Sequence, residues 1–67
     1  MNRFGEILKE LRKGKNLSTK ALGNAIGVTD VAISRWENSK MDITSTHLIA
    51  LAKYFGVTTD YLLGLED

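Results

Sequence analysis

Residues 19–38 read TKALGNAIGVTDVAISRWEN, and this stretch decides the fold. At helical spacing it holds two short amphipathic segments separated by Gly27. In the first, Ala21, Leu22, Ala25 and Ile26 form one apolar stripe; in the second, Val28, Ala32, Ile33 and Trp36 repeat the pattern. Thr29 stands where an N-cap is wanted, and Asp30 follows at the electropositive end of the helix it opens. Gly27 can take the left-handed conformation that ends the first segment, so the chain turns sharply without strain. Gly23 has no side chain, which lets the second helix cross close to the first. Two short helices joined by about three or four residues, with a glycine in the turn, fit a helix-turn-helix.

Outward from this stretch the pattern stays helical. Phe4, Ile7, Leu8 and Leu11 mark a first helix, with Asn2 as its expected N-cap and Gly14 as its stop. Its outer face carries Arg3, Glu6, Lys9, Glu10, Arg12 and Lys13, with Glu6–Lys9 and Glu10–Lys13 spaced for pairing. Ser18 caps a second helix over about 19–26, and a third runs over about 30–38. Thr44 or Ser45 caps a fourth, with Leu48, Leu51, Ala52 and Phe55 on one face, and Gly56 ends it. Thr58 caps a last short helix, 59–63, which Gly64 stops. No internal repeat, low-complexity tract or linker interrupts the chain. The expectation is all-α: a compact bundle of five short helices. Its expected core is Leu8, Leu11, Leu17, Leu22, Ile26, Val28, Ile33, Leu48, Leu51, Phe55, Val57 and Leu62.

Sixty-seven residues suit one domain, 1–67, with a small core. The absence of cysteine removes disulfides and Cys-based zinc sites as staples. No apolar run approaches the ~18 residues of a membrane span, and no signal-peptide pattern opens the chain, so a cytoplasmic protein is expected. Net charge is only +1, but it is unevenly spread: residues 1–20 balance to +4, 21–40 to zero and 41–67 to −3. Such a gradient permits one positive and one negative face; an ordinary solvated helix surface is the alternative.

The run Leu17-Ser18, Leu22, Gly27-Val28, Ile33-Ser34-x-Trp36-Glu37, Leu48, Leu51-Ala52, Gly56-Val57 and Leu62-Leu63 resembles the phage repressor/Cro class of helix-turn-helix proteins. The likeness extends over about residues 4–64 and implies a lambda-repressor-like DNA-binding fold. Three departures stand out. The family usually has Gln at the position of Thr19, Ala at that of Gly23, and Gly and Pro at those of Ser39 and Ile43.

The resemblance implies a transcriptional regulator, expected to be a repressor, that lays its third helix in the major groove of an operator. The N-terminal turn of such a helix is the part that reaches base edges. Asp30, Val31, Ser34 and Arg35 are then the base-contacting residues. Arg35 is the strongest candidate, because its planar fork can donate twice to guanine; pairing with nearby acids or phosphate is the alternative. Val31 suits a thymine methyl, or is an exposed apolar residue without a role. Asp30 can accept from a cytosine amino group, or simply favour the helix dipole. Phosphate contacts are expected from Ser18 and Thr19 at the start of the second helix, from Thr29, and from Asn38 and Lys40 beyond the third. Lys15 and Lys20 add attraction at longer range. One domain touches few base pairs, so a homodimer on a pseudo-palindromic site is expected, with half-sites about one turn apart.

The remaining residues point elsewhere. Trp36 is either a base-stacking platform or, as its core-facing position favours, packing. Glu37 reads as a local cap or pair, and the lone His47 as part of a solvated helix face. Tyr54, Tyr61 and Leu65 form either core periphery or a dimer interface. Nothing has the spacing of a metal site, a phosphate loop or a nucleophile–base pair, so neither enzyme activity, cofactor, metal nor small-molecule ligand is expected. The alternative function is a protein-interaction module, an antitoxin or adaptor, that keeps the fold without reading DNA.

Overall fold

A computed structural model describes residues 3–38 and 43–66. Five helices follow one another: α1 (Phe4–Gly14), α2 (Thr19–Ile26), α3 (Asp30–Glu37), α4 (Ser45–Phe55) and α5 (Thr59–Leu62). No strand occurs among the described residues, and none of these helices is long and apolar enough to cross a membrane. The expected five-helix, all-α architecture is therefore the observed one, with α3 and α5 each ending one residue earlier than the pattern suggests.

Hydroxyl caps open four of the five helices. Ser18, Thr29, Thr44 and Thr58 each hold extended backbone and accept a hydrogen bond from the N–H three residues on, at Ala21, Ala32, His47 and Tyr61. Each cap thereby satisfies one of the donors that a helix start leaves without a partner. α1 differs. Its N-cap position is Arg3, whose side chain makes no capping bond, while Asn2 lies outside the described residues. Its end also departs from expectation. Gly14 belongs to the helix, and Asn16 makes the left-handed turn at φ 57°. The Leu17 N–H then donates to the Arg12 carbonyl, and that of Asn16 to the Lys13 carbonyl, which closes a Schellman motif. Asparagine is the residue after glycine that most readily takes this conformation.

The fully enclosed core is Phe4, Ile7, Leu8, Leu22, Ile33, Trp36, Leu51, Ala52 and Leu62. Leu11, Leu17, Ile26, Val28, Leu48, Phe55 and Val57 pack around it half-buried. Every residue expected inside is there, joined by Phe4, Ile7, Ala52 and Trp36. Ala25 is the exception to the α2 stripe; it is exposed. Two glycines set helix crossings. A Cβ at Gly23 would lie 2.6 Å from the Val28 carbonyl oxygen, so α2 meets the backbone entering α3 at a distance only glycine permits. A Cβ at Gly5 would lie 2.5 Å from the Glu37 carbonyl oxygen, which brings α1 equally close to the end of α3.

Candidate nucleic-acid interface

α3 is divided lengthwise by its burial. Ile33 and Trp36 face the core, with Trp36 only 5% exposed, so its ring is packing and presents no stacking platform. Asp30, Val31, Ser34 and Arg35 are all exposed on the other side, and Val31 is 64% exposed. Leaving a valine that open costs hydrophobic burial that a core-facing position would recover. It also gives the strip a methyl surface beside a carboxylate, a hydroxyl and a guanidinium.

The hydroxyls at the two helix starts are set for donation outward. Ser18 Oγ accepts from the Ala21 N–H at 2.9 Å, and Thr29 Oγ1 from the Ala32 N–H at 3.1 Å. Each oxygen is thus held in place while its own proton stays available to an acceptor outside the protein. Ser18 and Thr29 are exposed, whereas Thr19 is half-buried and offers less of its side chain. Asn38 is exposed at the C-terminal end of α3, where its backbone N–H is spent on the Ser34 and Arg35 carbonyls. Lys40 lies outside the described residues.

Four residues behave differently from their expected roles. Glu37 does not pair locally. It receives a two-point hydrogen bond from Arg12, 25 residues away, with Nε to Oε2 at 2.6 Å and Nη2 to Oε1 at 3.0 Å. Arg12, expected on the solvated face of α1, turns inward to make it, and the hydrogen bond to Glu37 holds its guanidinium above the usual arginine range against the cost of burial. The signal for this pair lies in the spacing. Arg12 is four residues after Leu8, and Glu37 four after Ile33, so opposite charges continue two buried stripes. His47 is half-buried rather than solvated: its ring centroid lies 5.8 Å from that of Trp36, and its Nδ1 is 3.2 Å from Thr44 Oγ1. Glu6, finally, pairs with Arg3 at 4.0 Å and not with Lys9.

With this geometry in hand, a helix-turn-helix family profile matches residues 8–62. The chain belongs to the helix-turn-helix family. Among its relatives, the transcriptional activator BcrR of Enterococcus faecalis is 41% identical over 64 residues, covering 96% of this chain and 31% of BcrR. Repressor protein C2 of Salmonella phage P22 is 41% identical over 60 residues, covering 90% of this chain and 28% of C2. The chain thus spans less than a third of the length of either relative. The crystal structure of the P22 c2 repressor with a synthetic operator superposes with a TM-score of 0.87 at 38% identity, covering 94% of this chain and 96% of that one. The same helix-turn-helix unit also recurs inside a longer protein, HppE, solved with its substrate: TM-score 0.80, 30% identity, 90% of this chain and 34% of that one.

Proposed function

We propose that the chain, as one domain over 1–67, is a sequence-specific reader of duplex DNA that regulates transcription from the cytoplasm. α3 enters the major groove. Asp30, Val31, Ser34 and Arg35 meet base edges, and Ser18, Thr19, Thr29, Asn38 and Lys40 grip the flanking phosphates. The observation that carries this reading is the exposed strip of α3, with Val31 64% open to solvent beside Arg35 on a short helix whose other side is packed. Likeness to the operator-bound P22 repressor supports it.

Repression follows by occlusion, the bound protein competing sterically with polymerase for a promoter. Two copies bind together, because a single short helix reads only a few base pairs and a two-fold pair doubles the contacts on a pseudo-palindrome. Arg35→Ala tests the reading. It should leave the chain folded, by circular dichroism, yet cost roughly 1–3 kcal/mol in specific binding and relax preference at one guanine. The unmodified chain should also lose affinity steeply as salt rises, since phosphate contacts release counterions. Binding indifferent to both Arg35 and salt would contradict it.

A further inference from the structure

The four helices opened by a hydroxyl cap differ in the second residue after it. Lys20, Thr46 and Asp60 hold that place in α2, α4 and α5, and all three are polar and exposed. In α3 the place belongs to Val31, which is 64% exposed. Asp30, just before it, is exposed as well, and among the described residues its carboxylate enters no salt bridge. The first turn of α3 therefore offers a pure acceptor and an isopropyl group on consecutive residues. Taken alone, Val31 suits the C5-methyl of thymine. The neighbouring ring position of thymine, however, carries O4, an acceptor that a carboxylate repels. Cytosine has the amino group that Asp30 can accept from, but lacks the methyl. A cytosine methylated at C5 carries both, on adjacent ring atoms.

We infer that the first turn of α3 reads 5-methylcytosine, Asp30 accepting from the N4 amino group while Val31 covers the C5-methyl. This rests on the DNA-binding reading above and names the base that it leaves open. Two effects set the preference. A carboxylate brought among phosphates is repelled unless an amino group meets it, so Asp30 penalises thymine and guanine, whose groove edges present acceptors. The methyl then separates 5-methylcytosine from cytosine and adenine, because it alone gives Val31 an apolar partner. Neither residue suffices by itself: Val31 without the acid accepts thymine equally, and Asp30 without the valine is blind to the methyl. Methylation leaves base pairing unchanged, so it switches the affinity of a site without altering its sequence.

The test uses the full chain and a duplex that it enriches from a random pool. Each cytosine of one half-site is replaced singly by 5-methylcytosine, and separately by thymine paired with adenine, and affinities are read by fluorescence anisotropy. At one cytosine, methylation should tighten binding about fourfold, the worth of one covered methyl. Thymine at the same place should bind about fivefold or more weakly than cytosine. Two exposed substitutions, each checked for folding by circular dichroism, then divide the effect. Val31→Ala should remove the gain from methylation. Asp30→Asn, whose amide can donate to O4 as well as accept from N4, should bring thymine level with 5-methylcytosine. An enriched half-site with no cytosine at which methylation tightens binding would overturn the inference. So would thymine binding the unmodified chain as tightly as 5-methylcytosine does. A gain that survives intact in Val31→Ala overturns it too, since the methyl would then act through the shape of the duplex. Enrichment of no sequence by the unmodified chain would refute the DNA reading instead, before any base is modified.

Discussion

The chain makes the same corner twice. Residues 22–33 read LGNAIGVTDVAI and residues 51–62 read LAKYFGVTTDYL, with Gly-Val-Thr at the centre of each. Gly27 and Gly56 take left-handed φ of 81° and 69°. The N–H groups of Val28 and Val57 reach back to the Gly23 and Ala52 carbonyls at 2.8 and 2.9 Å. Thr29 and Thr58 cap with nearly equal dihedrals, and Ile33 and Leu62 are both fully enclosed. One corner presents the proposed reading helix and the other a four-residue helix that closes the core. Corner geometry is therefore a local property of a few residues, and function is decided by the residues beyond the cap. After Thr29 come Asp30 and the open Val31 on a helix of 8 residues. After Thr58 the helix is too short to project, and the Thr58 hydroxyl donates to the Glu66 carboxylate. An acid of the protein itself sits there on a capping hydroxyl, much as we propose a DNA phosphate does at Thr29.

Matched substitutions probe this equivalence. Leu22→Ala and Leu51→Ala remove fully enclosed side chains at corresponding places and should each cost about 2–5 kcal/mol in denaturant unfolding, most of the stability of so small a domain. A marked inequality between them would show that the two corners do not share one core. Gly27→Ala and Gly56→Ala force a side chain into the left-handed region with nothing nearby to clash, so each should lose about 1–2 kcal/mol from backbone strain alone. Thr29→Ala and Thr58→Ala each remove a cap and should cost about 1 kcal/mol of stability. Only Thr29→Ala should also weaken DNA binding, measured by fluorescence anisotropy where both variants are folded. Equal weakening by Thr58→Ala would remove the distinction between the corners.

Most of this architecture is legible in order along the chain. Hydroxyl residues ahead of apolar periods locate three caps and leave the fourth between Thr44 and Ser45, of which Thr44 is the observed one; Gly27, Gly56 and Gly64 locate three turns, and the 3.6-residue period separates the exposed strip of α3 from Ile33 and Trp36. The departures have physical causes. Gly14 resembles a stop because glycine is the commonest left-handed residue, but Asn16 takes that conformation two residues later. Glu37 and Arg12 resemble surface charges because charged residues seldom lie inside; their pairing depends on how α1 crosses α3, and Gly5 permits that crossing. His47 likewise acquires its place from Trp36, a residue in another helix. The two Gly-Val-Thr corners are a short repeat already present in the sequence, 29 residues apart, which corrects the expectation of no internal repeat. Local chemistry is written along the sequence, whereas contacts between helices emerge only when the crossings are known.

Base reading by Asp30, Val31, Ser34 and Arg35 is the proposal on which the rest depends. It is tested most directly by selecting duplexes bound by the chain from a random-sequence pool and repeating the selection with Arg35→Ala. The expected result is a short enriched sequence in two inverted half-sites about one helical turn apart, with preference lost at one guanine in each half for the variant. No enriched sequence, or the same sequence enriched equally by both proteins, would contradict it.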